Sequence, residues 1–130
     1  MGLNVPDCGE RALLDMALGK EDSRLKLYKN DITPAEGDTY ATYTEATIAG
    51  YSSKLLNKDD WNAASTTLGL TTKTFPMQTF TFTGTGVVVG YYVIRNSDNL
   101  LLWSERVFTS PGATFNNSDE YRINLLIGAE

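Results

Sequence analysis

Two pairs of adjacent carboxylates, Asp59-Asp60 and Asp119-Glu120, are the first residues to weigh for chemistry. Glycoside hydrolysis uses two carboxyl groups, but they must face each other across a cleft with the sugar bond between them. Sequence neighbours on polar, turn-forming segments do not meet that need, and both pairs read as turn and capping residues. A hydrolytic triad requires a base beside its nucleophile, and the chain contains no histidine. Lysine or a carboxylate would have to serve, and neither has a recognisable setting. Cys8 is the single cysteine, so it lacks an activating imidazole and a disulfide partner. Without histidine or a second cysteine a structural zinc is excluded as well.

Three further groupings have the residue types for binding. Gly84-Thr85-Gly86 starts like a phosphate-cradling loop but lacks the third glycine, the following helix and the lysine, and reads as a hairpin turn. Asp31, Glu36 and Asp38 place three hard oxygen donors in one loop, yet their spacing does not follow the calcium-loop pattern, and they read as solvated carboxylates. Tyr91, Tyr92 and Trp103, with Tyr40, Tyr43 and Tyr51 as loop partners, would suit an aromatic platform for sugar, because aromatic rings stack on apolar sugar faces. Aromatic residues also fill β cores and subunit interfaces, which is the plainer reading. Asn116-Asn117-Ser118 matches a glycosylation sequon, but no secretory signal gives it context. The expectation is a protein that is not an enzyme and holds no cofactor or metal.

The composition bounds the partners. Eleven basic residues against sixteen acidic ones give a net charge of −5 and a pI near 4.7. A sequence-independent grip on nucleic acid needs clustered Lys and Arg, which are scattered here, so no nucleic-acid partner is expected. No apolar run approaches the roughly 20 residues that span a bilayer, and the N-terminus lacks a signal-peptide pattern. Synthesis and folding in a reducing cytoplasm, with no membrane partner, follow as expectations. With 130 residues, 42% hydrophobic and 21% charged, the chain fits one globular domain over 1–130, able to bury roughly two thirds of its unfolded surface.

Asp7 as N-cap and Glu10 three residues on form a capping box, and Leu13, Leu14, Ala17 and Leu18 recur on one face until Gly19, predicting one short N-terminal helix. Residues 1–6 have no regular pattern and read as an arm. Residues 24–29 alternate polar and apolar, placing Leu25 and Leu27 on one face and Lys26 and Tyr28 on the other, the pattern of a half-buried strand. Residues 30–50 are too polar and too broken for one element and predict a functional loop, with a short extended piece at 40–47. Strands are expected at 78–83, 87–95, 100–107 and 121–127, with a hairpin turn at Asn96-Ser97-Asp98-Asn99. Strands so close in sequence favour an antiparallel β-sandwich or jelly roll, with an open barrel as runner-up. Val87-Val88-Val89 and Leu100-Leu101-Leu102-Trp103 are apolar on both faces. A neighbouring subunit or the N-terminal helix is therefore expected to cover the second face.

The run from Leu25 through Ile32, Thr33 and Pro34 to Gly37-Asp38-Thr39, continuing to Glu45-Ala46 and Gly50-Tyr51, resembles a family of small virion proteins of tailed bacteriophages. Gly90-Tyr91-Tyr92-Val93 and Leu101-Leu102-Trp103-Ser104-Glu105-Arg106 share the likeness, which spans residues 7–127. The resemblance implies a structural protein of the particle, a decoration (cement) protein on the capsid surface, without residue-level roles. Its partners would be the major capsid protein and itself, as homotrimer or homodimer. Asn4, Val5 and Pro6 in the arm, and Ile32, Pro34, Tyr40, Tyr43 and Tyr51 in the loop, are the residues expected to touch that partner. A tail, neck or fibre-attachment component and a carbohydrate-binding module for host adsorption are the competing readings.

Overall fold

The computed structural model describes residues 19–129. Along them run β1 (Ser23–Tyr28), β2 (Lys54–Leu56), β3 (Ser65–Thr67), β4 (Leu70–Thr81), β5 (Gly86–Val88), β6 (Gly90–Arg95), β7 (Leu101–Arg106), β8 (Ala113–Phe115) and β9 (Glu120–Ala129). They form a four-stranded sheet in the order β2-β1-β6-β7, a three-stranded sheet β3-β4-β9 and a two-stranded ribbon β5-β8. The pairings are antiparallel, so the chain is mainly β as expected. The expected helix falls on residues 7–18, outside the described residues. Among the described residues no helix reaches seven residues, and the named helical piece is a single 3-10 turn, Tyr40–Thr42.

The two larger sheets share one core. Alternation along β1 sends Leu25 and Leu27 inward, opposite Val93 and Tyr91 of β6. These side chains join Phe75 and Phe80 of β4 and Ile123 and Leu125 of β9 in one buried cluster. Trp61, on the segment between β2 and β3, packs edge-on against Phe75 at 4.9 Å and Trp103 at 6.1 Å. Burying that much apolar surface is the dominant favourable contribution to folding.

Several strand limits differ from the sequence expectation, each for a local reason. β4 begins at Leu70, eight residues before the expected Gln78. Its register with β9 shifts between Phe75 and Gln78. Pro76 sits in that bulge, where a residue without an N–H is tolerated; the strand continues across the proline. The expected strand 87–95 is two strands, because Gly86–Val88 pair with β8 in the ribbon while Gly90–Arg95 pair with β1 and β7 in the four-stranded sheet. Gly90 makes the close passage possible: a Cβ there would collide with the Glu105 carbonyl oxygen and stand 2.8 Å from the Tyr28 ring. Gly84-Thr85-Gly86 is a bend and not a hairpin, since it passes the chain from β4 to β5, which pair with different strands. The turn at 96–99 is as expected, with Asn99 at φ 61° and Asp98 receiving both Arg95 and the Leu100 N–H.

Candidate functional site

The residues with the strongest functional expectation lie in the loop between β1 and β2, and the structure explains why that loop is ordered. Tyr28 is fully buried, where the alternation of β1 had predicted a solvent-facing residue beside Lys26. Tyr28, Tyr43, Val89, Tyr92 and Ile94 form a second buried cluster, with Ile32 and Leu101 packed against it. By alternation this cluster lies on the face of the four-stranded sheet opposite the main core. The loop itself supplies its cover. The second face, expected to need a neighbouring subunit or the N-terminal helix, is roofed at this end by residues 31–46 of the same chain.

Polar contacts pin the loop at four places. Residues 44–46 lie alongside β1: the Lys29 N–H donates to the Thr44 carbonyl at 2.9 Å and the Ala46 N–H to the Leu27 carbonyl at 2.8 Å. Asn30 bridges the base of the loop, donating from Nδ2 to the Thr42 carbonyl and accepting the Thr44 N–H. Arg106 Nη2 and Ser110 Oγ both donate to Asp31, each at 2.5 Å. Those two donors hold the Asp31 carboxyl below the ordinary carboxylate range. Asp38 caps the Ala35 N–H at 2.9 Å and accepts the Tyr43 hydroxyl at 2.7 Å. Ser104 Oγ lies 2.6 Å from the same hydroxyl. Two of the three carboxylates weighed for calcium are therefore engaged by protein donors. Among the described residues no group of three or more potential ligands could hold a metal ion.

The expected contact residues separate into three sets. Asn4, Val5 and Pro6 lie outside the described residues. Tyr43 and Tyr51 face inward. Tyr43 stacks on Tyr92 at 5.0 Å. The Tyr51 hydroxyl donates to Glu45 at 2.7 Å and accepts the Leu27 N–H at 3.1 Å. Burial, opposed by the Ser104 hydrogen bond and reinforced by Asp38, pushes the Tyr43 phenol up to about 12. Ile32 and Pro34 are half-buried, and Tyr40 is 48% exposed. Tyr91 and Tyr92 are buried and Trp103 half-buried, so the six aromatic residues do not form one open platform.

Tyr40 borders a cleft of about 300 Å³, whose walls are Asp38 and Thr39 on the loop and Asp98, Asn99, Leu100 and Leu101 at the β6–β7 turn. Both Asp98 and Asp38 already accept backbone N–H groups, and Asp98, held by Arg95, is lowered to about 2. The cleft therefore combines fixed acceptors with an exposed ring and an exposed leucine.

A second exposed feature was not anticipated from the sequence. The β3–β4 hairpin closes through Leu68 and Gly69, both at positive φ, 52° and 81°, as a type I′ turn demands. Leu68 is fully exposed there. The only sequence signal is the mirror-like run Thr66-Thr67-Leu68-Gly69-Leu70-Thr71, whose leucine is uncommon where asparagine or glycine is favoured.

No protein-family model, no curated protein and no solved structure matches the chain.

Proposed function

We infer that the chain is a non-enzymatic virion structural protein: a capsid decoration (cement) protein, built as a β-sandwich or jelly-roll-like domain, that binds the outer surface of the major capsid lattice. The observation that carries this reading is the pinned loop. Asp31 is tied to Arg106 and Ser110 and Tyr43 to Asp38 and Ser104, while the Tyr40 ring beside them stays open. A surface held in its bound shape before contact loses little entropy on docking, and repetition over a lattice adds avidity to a modest contact per copy. The resemblance of residues 25–51 and 90–106 to phage virion proteins points the same way.

Co-sedimentation with undecorated heads tests the reading. The full chain should pellet with heads, and Tyr40→Ala should weaken that binding at least about tenfold with an unchanged melting midpoint, as for an exposed aromatic anchor. A chain that ignores heads would sink the decoration reading; binding to tails would move it to the tail or neck.

The cleft beside Tyr40 favours one second reading, carbohydrate binding for host adsorption, because a sugar would stack on the ring and donate to the fixed carboxylates. A glycan array separates the two. Sugar binding lost in Tyr40→Ala would support it, and a blank array would retire it.

A further inference from the structure

The sheet edges differ in their fitness to receive another strand. β2 and β3 are three residues long. β7 has six residues, with Val93 opposite Trp103 and Ile94 opposite Leu101, so Leu102 interrupts its ladder. β9 runs ten residues and pairs with β4 on one side. Among the described residues no strand pairs with its other side. It contains no proline and no lysine, two of the devices by which natural edge strands avoid pairing. Ladder groups on such an edge need a partner strand or water.

The side chains of β9 say which strand fits. Tyr121, Ile123, Leu125 and Ile127 point to the core, with Ile123 and Leu125 buried. Glu120, Arg122, Asn124 and Leu126 alternate on the outer face, where Leu126 is 60% exposed and Arg122 pairs with Glu120 at 3.1 Å. We propose that β9 pairs antiparallel with β9 of a second copy across a two-fold axis, giving a continuous sheet β3-β4-β9-β9-β4-β3.

Register selects the axis. Directly opposed residues share a face, so only an axis through a residue, and not between two, keeps both apolar faces on the same side. An axis at Ile123 would set Glu120 against the partner's exposed Leu126, one at Leu125 would set Asn124 against it, and one at Arg122 would oppose two guanidinium groups. An axis at Asn124 opposes the two amides, which hydrogen-bond to each other, and lays the Arg122 stem over the partner's exposed Leu126. It also sets Ile123 against Leu125, extending the core row across the junction. An isologous contact of this kind closes at two copies, so of the two oligomers expected from the resemblance it selects the dimer.

Light scattering on the full chain should give twice the 14.3 kDa chain mass. Asn124→Lys with Leu126→Lys places like charges on the exposed outer face and should halve that mass, with far-ultraviolet dichroism and melting cooperativity retained. Asn124→Cys in a Cys8→Ser background should form an intermolecular disulfide under mild oxidation, whereas Arg122→Cys should not. A monomer at every concentration reached, a trimer, or a dimer that survives the double lysine variant and fails to cross-link at 124 would each overturn the proposal.

Discussion

Tyr43 lies stacked on Tyr92 with ring centroids 5.0 Å apart, while its hydroxyl is shared between Asp38 on its own loop and Ser104 on β7. One side chain thus joins the loop to the sheet through both an apolar and a polar contact. Removing the hydroxyl alone, in Tyr43→Phe, leaves Asp38 and Ser104 without their shared partner and should cost about 1–2 kcal/mol. Removing the ring, in Tyr43→Ala, should cost about 3–5 kcal/mol, as for other buried aromatics. Urea unfolding of the two variants checks the order. Equal losses would mean that the ring contributes nothing to holding the loop.

Acid should loosen the clasp between Asp31 and β7. Ser110 and Arg106 lower the Asp31 pKa in the fold, so its contribution is complete above the ordinary carboxylate pKa and is lost as pH falls through the lowered folded value. The urea midpoint of the native chain should therefore fall more than that of Asp31→Asn between about pH 6 and about pH 3. Asp98, lowered to about 2 by Arg95, should keep the β6–β7 turn intact to the acid end of that window. Parallel midpoints for the two proteins would show that the clasp carries no acid sensitivity.

Alkali acts on the tyrosines with the opposite sense. Burial raises the phenols of Tyr43, Tyr92 and Tyr121 to about 12, and also raises Tyr28, Tyr51 and Tyr91. The fold therefore holds protons that the unfolded chain releases above its ordinary phenol pKa of about 10. Stability contributed by these groups is complete below that value and lost as pH rises through the folded ones. A titration followed by phenolate absorbance should show most of the signal displaced to higher pH than in urea. Coincident curves would contradict the burial of these rings.

Leu68 should be improvable. A non-glycine residue at positive φ costs about 1–2 kcal/mol, and Leu68 is fully exposed at φ 52°. Leu68→Asn creates the favoured Asn-Gly pair of a type I′ turn and should raise stability by about 1 kcal/mol. A lowered melting midpoint would show that the leucine makes a compensating contact.

The parts of this fold that were readable in sequence are those in which one face is buried and the other is wet. β1 and β9 alternate for that reason, and the Asn96–Asn99 turn has its own side-chain chemistry. β2, β3 and β8 are three residues each, too short for a period to register. Pro76 hid the first half of β4, because a proline in a strand looks like an end until the bulge beside it is seen. Tyr28 misled for a different reason: alternation identifies the second face of a strand, but not what lies over it. The segment was recognisable as a loop from its polar, broken composition. That it folds back on the sheet depends on Tyr43 meeting Tyr92 and Asp31 meeting Arg106, partners 49 and 75 residues away in the chain that no local pattern links.

Strand order imposes a schedule on how this chain comes into being. β1 sits between β2 and β6, opposing Ser23 to Arg95, and β4 finds its longest ladder with β9, opposing Thr71 to Ala129. Neither larger sheet is complete while a ribosome still holds the second half of the polypeptide. Such non-local pairing places folding in the slower, millisecond-to-second range and leaves the early strands waiting with apolar faces uncovered. Translation supplies β9 after every other strand described, so the core cannot close until that strand has emerged.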